Sequence, residues 1–358
     1  MRRASAFASL VLVALAIVGP ARAVRPDLPS SPVLPSAATT WADAQVRTVT
    51  AAGLFGGDAA TFRPTDPLTR GELADALVAW GKPATVPADP SKLVTISELD
   101  AQLVNALGLT PAARRIRLAA AAGQLAPTSR VGTETVARLV GLRLNHPQGQ
   151  DELELLPTQP ATRAEAAYSF ARALSLSQGQ LTYVDQVSAT FSLPALGDWQ
   201  RTVLTRALKF VGYPYVWSGT SEAAQTLWSA TAPGGWITEP GGFDCSGFVW
   251  RVYKTKPFPG APTLGDILKG RTTYAMSAEV AKPARIDLFG LQPGYVIFFG
   301  AKGPQSTPAE VGHMGIYVGN GWFVHSSSAG VTLQPLEGWY TKTFAWARRP
   351  LLEAGLTA

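Results

Sequence analysis

Cys245 is the only cysteine of the chain, and His313 and His325 are two of its three histidines. A thiol, a base and a group that orients the base are what nucleophilic acyl transfer requires. The neighbouring residues give each of them a position. His313, Gly315 and Tyr317 alternate with Met314, Ile316 and Val318, the two-residue period of a strand. Gly319-Asn320-Gly321 is a turn signal, and Trp322 to His325 fits the return strand of a hairpin. A turn centred near Asn320 sets the two imidazoles opposite or nearly opposite each other. Directly opposed Cβ atoms lie ~4.5–5.5 Å apart, close enough for one ring to hold the other. The exact pairing depends on the turn type.

The cysteine has an element of its own. Phe248, Val249, Val252 and Tyr253 recur at helical spacing, so Cys245 falls in the first turn of a helix with Asp244 at the N-cap position. A helix N-terminus favours negative charge, which takes a thiol pKa below its ordinary value of about 8.5. The expectation is a thiolate ready near neutral pH. Singly, these residues have plainer readings: a small buried hydrophobe, two strand residues at a polar edge, a cap. Together they point to catalysis.

Four stretches carry a family resemblance. They are Gly212-Tyr213-Pro214-Tyr215-Val216-Trp217-Ser218-Gly219, Asp244-Cys245-Ser246-Gly247-Phe248, Leu291-Gln292-Pro293-Gly294-Tyr295-Val296-Ile297-Phe298-Phe299, and the His313–His325 hairpin with Ser326-Ser327-Ser328. In this order they resemble the NlpC-type cell-wall cysteine endopeptidases, whose fold is papain-like α+β. The resemblance implies Cys245 as nucleophile, His313 as base and His325 as orienter, with the Tyr215 hydroxyl in the oxyanion hole. It also implies that Asp244 and Ser246 engage the polar end of a stem peptide. The bond such enzymes usually cut joins γ-D-glutamate to a diamino acid in peptidoglycan. No cofactor or metal is implied. Two positions depart from the pattern. Ser218 replaces the first glycine of a Gly-Gly pair, and Tyr295 replaces an aspartate, for which a change of packing or rim polarity is expected. A longer stretch between Tyr215 and Cys245 holds Trp228 and Trp236, either as a substrate-binding lip or as side chains buried for the loop's own packing. A second insertion, around Asp266 to Asp287, shows no readable pattern.

Upstream, Thr69-Arg70-Gly71-Glu72, Thr95-Ile96-Ser97-Glu98 and Thr162-Arg163-Ala164-Glu165 each lead into an Ala/Leu-rich run. Thr-x-x-Glu in that setting is a capping box. The stretch with Trp41, Ala51-Ala52-Gly53-Leu54-Phe55 and Phe62-Arg63-Pro64-Thr65-Asp66-Pro67 ahead of the first box resembles an S-layer homology repeat. Ala121-Ala122-Gly123 and Gly132-Thr133-Glu134 look like degenerate copies. Such repeats form a small helical domain in trefoil array that binds wall polysaccharide. On that resemblance Arg70 and Arg163 are the candidates for gripping an acidic saccharide.

Arg2 and Arg3, an apolar run from Ala4 to Val18, and Ala21-Arg22-Ala23 read as a secretory signal. The run is shorter than the roughly 20 residues a membrane span needs, so no transmembrane segment is expected. The expected organisation is a signal peptide over 1–23, a Pro/Ser linker over 24–36, a mainly α-helical S-layer homology-like domain over 37–176, a linker over 177–198 and the peptidase domain over 199–352. A net charge of +6 suits residence near an anionic wall polymer, while no basic run with interleaved aromatics suggests nucleic acid. Three functions fit this pattern: a secreted, wall-associated peptidase, an amidase or transacylase on the same scaffold, and an inert wall-binding protein.

Overall fold

The computed structural model describes residues 40–143, 146, 150–230, 233–254 and 258–356. The expected signal peptide and the 24–36 linker lie outside the described residues.

The amino-terminal part is helical: α1 (Asp43–Ala51), α2 (Arg70–Ala79), α3 (Ile96–Ala106), α4 (Thr110–Ala122), α5 (Val131–Leu139) and α6 (Arg163–Ser175). The three Thr-x-x-Glu boxes start α2, α3 and α6. The extended residues ahead of them close a three-membered ring. Leu68 N–H donates to Ala161 O at 2.8 Å, Ala161 N–H to Val94 O at 2.8 Å, and Val94 N–H to Leu68 O at 2.9 Å. Each short extended segment satisfies the next, so the residues ahead of the three boxes form a closed ring. Gly132-Thr133-Glu134 is not one of them. It lies inside α5 and caps nothing.

Thr69/Glu72 and Thr95/Glu98 make complete capping boxes. The third is half made. Thr162 caps the Glu165 N–H, but the Glu165 carboxylate turns to Arg143, at 2.5 Å, and to the third histidine, His146, at 2.8 Å. All three box glutamates receive a guanidinium from elsewhere: Glu72 from Arg163, Glu98 from Arg70, Glu165 from Arg143.

Residues 177–198 are not a simple linker. Ser177 caps a helix, α7 (Gln178–Thr190), which lies against α4 with Arg115 paired to Asp185. Sequence reading missed α7 because its apolar positions are few.

The carboxy-terminal part begins with α8 (Asp198–Lys209), followed by β1 (Thr220–Ser221), β2 (Gln225–Trp228), β3 (Trp236–Glu239), β4 (Gly242–Phe243) and α9 (Cys245–Tyr253). Two short helices, α10 (Leu264–Ile267) and α11 (Thr273–Ala278), occupy the unreadable insertion. Then come β5 (Val296–Gly300), β6 (Val311–Gly319), β7 (Trp322–Ser327), β8 (Gly330–Pro335), α12 (Trp339–Thr343), β9 (Phe344–Arg348) and α13 (Pro350–Glu353). Strands β5 to β9 form one antiparallel sheet in the order β8-β7-β6-β5-β9. Helix α9 packs on β6 and β7, with its Phe248, Val249 and Val252 fully buried. That contact brings the start of α9 beside the start of β6.

The helical part braces the entry to this site. Arg138 donates to Gly212 O at 2.7 Å and Arg130 to Lys209 O at 2.6 Å. The Trp217 N–H donates to Asp151 at 3.1 Å. The segment leading to Tyr215 is therefore held from both sides.

Candidate active site

Asp244 is the N-cap of α9 and accepts from the Gly247 N–H. Phe243 N–H donates to Pro214 O at 3.1 Å and Val216 N–H to Phe243 O at 3.4 Å, so the Tyr215 segment runs alongside the residues that lead into Cys245. The Ser326 hydroxyl donates to Phe243 O at 2.6 Å and ties the same point to β7.

The Cys245 thiol is buried. Among the described residues its side-chain partner is the Thr273 hydroxyl on α11, at 3.3 Å, and it has no hydrogen bond to His313. The Met314 backbone N–H also bears on the sulfur, which places the thiol beside the residue that follows His313. Catalytic hydrogen bonds are often made only once substrate is bound.

The thiol is not the thiolate that the sequence suggested. Burial and the neighbouring Asp244 carboxylate push it up to about 12, against the hydrogen bonds from Thr273, Ser246 and Met314 that favour the anion. The helix N-terminus is present but outweighed. Burial alone takes His313 down to about 4. The resting pair is a neutral thiol and a neutral imidazole.

The histidines meet as expected. His313 Nε2 and His325 Nδ1 are 2.7 Å apart, and the ring planes cross at 83°. They are not directly opposed. Ile316 pairs with Val324 and Tyr317 with Phe323, with a register shift before Gly319 and Trp322, so the two imidazoles stand one step apart on the same face. With Nε2 engaged by His325, the nitrogen His313 has left for a thiol is Nδ1. His325 is fully buried against Phe323 and Tyr340, and burial together with the His313 ring holds it well below the ordinary histidine value.

Asp244 and Ser246 have a partner the sequence did not reveal. Arg271 donates to Asp244 Oδ2 at 3.0 Å, to Ser246 Oγ at 2.7 Å and to Ser218 O at 2.8 Å. A guanidinium fork is suited to gathering two carboxylate oxygens and nearby acceptors. Ser218 sits at φ +61°, a conformation glycine adopts freely, which fits the glycine that the family resemblance leads one to expect here. Arg271 and Thr273 belong to the insertion that lacks periodicity. A Thr at the cap position Thr272 was the one available signal for the helix that carries Thr273.

Tyr295 is half-buried against the cluster formed by Ile297, Phe299 and Phe323, the packing role expected for it in place of the aspartate of the resemblance. The tryptophans of β2 and β3 are not buried for packing. Trp228 pairs with Trp236 across the hairpin, and they are 63% and 61% exposed. Arg163 is far from this site, 5% exposed, and held by Glu72 and the Phe62 carbonyl. Arg70 is partly exposed and paired with Glu98.

The NlpC/P60 family model matches residues 212–349. Residues 212–349 are an NlpC/P60 domain. The S-layer homology domain model matches residues 35–74, the stretch that contains the first of the three boxes. The NlpC/P60 domain has the papain-like fold expected from the motifs, and an S-layer homology domain associates a protein with the cell surface or wall. The chain is 29% identical over 140 residues to the probable peptidoglycan endopeptidase LytE of Bacillus subtilis, covering 39% of this chain and 31% of that protein. It is 29% identical over 186 residues to a gamma-D-glutamyl-L-lysine dipeptidyl-peptidase of Bacillus cereus, covering 49% of this chain and 45% of that protein. The chain thus spans less than half the length of these relatives. A solved NlpC/P60 family protein from Bacillus cereus is 25% identical, with 46% of this chain and 43% of that chain covered and a TM-score of 0.31. Among the described residues, no helix is long and apolar enough to cross a membrane, and no group of acidic, histidine or cysteine side chains is arranged to hold a metal ion.

Proposed function

We propose that this protein is a secreted, wall-associated peptidoglycan hydrolase that cuts stem peptides by thiol attack. The observation that carries the reading is the 2.7 Å pair of His313 and His325 beside a thiol at a helix start, within a matched NlpC/P60 domain. Cys245 Sγ attacks an amide carbonyl while its proton passes to His313 Nδ1. Because the resting pair is neutral, proton transfer accompanies attack rather than preceding it. Tyr215 is assigned to the developing oxyanion. Collapse of the tetrahedral intermediate breaks the C–N bond, and the leaving amine takes the proton from His313. Water, deprotonated by the same ring, then releases the acyl group as a carboxylate and restores the thiol. The scissile bond we assign is that between γ-D-glutamate and the diamino acid, with Asp244 and Ser246 at the peptide's polar end. The outward face of the β2–β3 hairpin, with Trp228 and Trp236, is assigned as a lip of the cleft. The signal-like start supports export, and the repeat domain supports retention at the wall through an anionic polysaccharide, with Arg70 the more accessible of the two candidate arginines.

The test is lysis of purified sacculi. The full chain lowers their turbidity and releases peptide, while Cys245→Ala at equal concentration does neither. Equal lysis by both would remove the thiol reading. An amidase or transacylase uses the same residues, and the released termini separate these readings.

A further inference from the structure

The proton between His313 and His325 sets a requirement further along the sheet. For His313 Nδ1 to accept the thiol proton, the neutral ring must carry its own proton on Nε2 and donate it to His325 Nδ1. His325 must then carry its proton on Nε2. That nitrogen is fully buried and, among the described residues, has no partner in good hydrogen-bond geometry.

A polar side chain on the neighbouring strand stands in position to meet it. Gln334 on β8 lies directly opposite Phe323, and His325 is stacked on Phe323 at a centroid distance of 4.5 Å. His325 itself is opposite Thr332, so Gln334 is one register step from His325 on the same face. The Gln334 amide lies near enough to bear on the titration of both the His325 ring and the Tyr340 hydroxyl, and His325 Nε2 has no hydrogen bond in good geometry among the described residues. Tyr340 completes the enclosure, with its ring centroid 5.2 Å from that of His325.

We propose that Gln334 is a positioning residue that fixes the tautomer of the histidine pair, its carbonyl accepting the His325 Nε2 proton while its NH2 group is anchored on Tyr340. This rests on the thiol reading given above. With Nε2 protonated, its proton requires the amide carbonyl, which leaves the NH2 group to donate to the phenol oxygen; the flipped amide, its carbonyl accepting from the phenol O–H, would match the opposite tautomer. Reversing the His325 tautomer would aim a proton at His313 Nε2. That would force the His313 proton onto Nδ1, and the base would face the thiol as a donor. The orientation of the Gln334 amide is thereby coupled, through two rings, to whether His313 can act as a base.

The experiment compares the full-length wild type with Gln334→Met, Gln334→Glu and Tyr340→Phe. One readout is the 15N shifts of the labelled histidines, and the other is kcat and KM on a soluble stem tripeptide, L-alanyl-γ-D-glutamyl-diamino acid. In the wild type the His325 proton is on Nε2. In Gln334→Met it moves to Nδ1, and kcat falls on the order of tenfold or more with KM little changed. Gln334→Glu keeps the acceptor and retains most of kcat, and Tyr340→Phe lies between. A wild-type His325 protonated on Nδ1 would overturn the proposal. So would an unchanged tautomer in Gln334→Met, or equal loss of kcat in Gln334→Met and Gln334→Glu, which is the signature of packing alone. If the wild type cleaves no tripeptide, the thiol reading falls, and the 15N shifts still decide the tautomer.

Discussion

Gly315 faces His325 across the pairing of β6 and β7, and a Cβ added to Gly315 would stand 2.9 Å from the Cβ of His325 and 2.9 Å from the Val324 carbonyl. The missing side chain is what lets the His325 ring lie over β6 and reach the neighbouring histidine. A one-step offset that would otherwise separate the imidazoles becomes a hydrogen bond.

Gly315→Ala is therefore expected to separate the pair. Overpacking of this kind costs about 1–3 kcal/mol. A thermal melt should show a modest loss of stability, while kcat/KM on a stem peptide falls by more than about tenfold, a loss of at least 1.4 kcal/mol of transition-state stabilisation. Full activity in Gly315→Ala would mean that the His313–His325 bond is dispensable.

The buried thiol predicts how Cys245 reacts with iodoacetamide. Alkylation requires the thiolate, and a pKa raised to about 12 leaves that form scarce at neutral pH. The rate should be very low at pH 6 and keep climbing from pH 7 to pH 10 without a plateau. Rates measured by mass spectrometry that level off near pH 7 would show a thiolate stabilised at rest, as the helix N-terminus alone suggested. Cys245→Ser should leave the melting temperature little changed and remove activity.

Arg271 compensates Asp244, the charge that bears on the thiol. In Arg271→Met the carboxylate loses its fork, the Ser246 hydroxyl and Ser218 carbonyl lose a donor, and the thiol faces an uncompensated anion. Activity should drop by at least about tenfold, because one charged hydrogen-bond partner at a half-buried site is worth about 1.5–3 kcal/mol. Arg271→Lys should recover only part of it, since an ammonium does not reproduce the bidentate geometry. Equal activity in wild type and Arg271→Met would make Arg271 a surface residue.

The two repeat arginines should behave differently. Arg163→Ala removes a buried guanidinium that bridges two repeats, and breaking such a pair costs about 3–5 kcal/mol, seen as a clear fall in melting temperature. Arg70→Ala breaks a partly exposed pair worth about 0–1 kcal/mol. A loss of sacculus binding in Arg70→Ala at unchanged stability, persisting between 0.1 M and 1 M salt, would mark a saccharide contact rather than diffuse attraction of a basic protein. A pull-down with the full-length Cys245→Ala chain decides it, and wild-type-like binding in Arg70→Ala removes that residue from the anchoring surface.

Local patterns carried most of the site. The two-residue alternation around His313, the Gly-Asn-Gly turn and the helical spacing after Cys245 all gave the elements now observed, because each is dictated by neighbours in the chain. The Thr-x-x-Glu boxes marked three helix starts for the same reason. What escaped depends on residues distant in sequence. The shift between Tyr317 and Gly319 sets the histidine offset, and turn residues alone do not specify it. Arg271 and Thr273 lie in a stretch without periodicity, and their roles exist only once α11 folds back on α9. The thiol pKa was misjudged because the helix N-terminus is visible in a sequence, whereas the burial that outweighs it is a property of packing. The third box looked complete, but Glu165 is drawn off by Arg143 and His146.

The central claim is that Cys245 cuts a stem peptide, and the new termini report it directly. Purified peptidoglycan is incubated with the full chain and, in parallel, with Cys245→Ala, and the soluble products are identified by mass spectrometry. The account predicts fragments ending in a free γ-D-glutamate carboxyl, paired with peptides that begin at the diamino acid, from the wild type alone. Products cut within the glycan or between muramic acid and alanine, or the same fragments from Cys245→Ala, would contradict it.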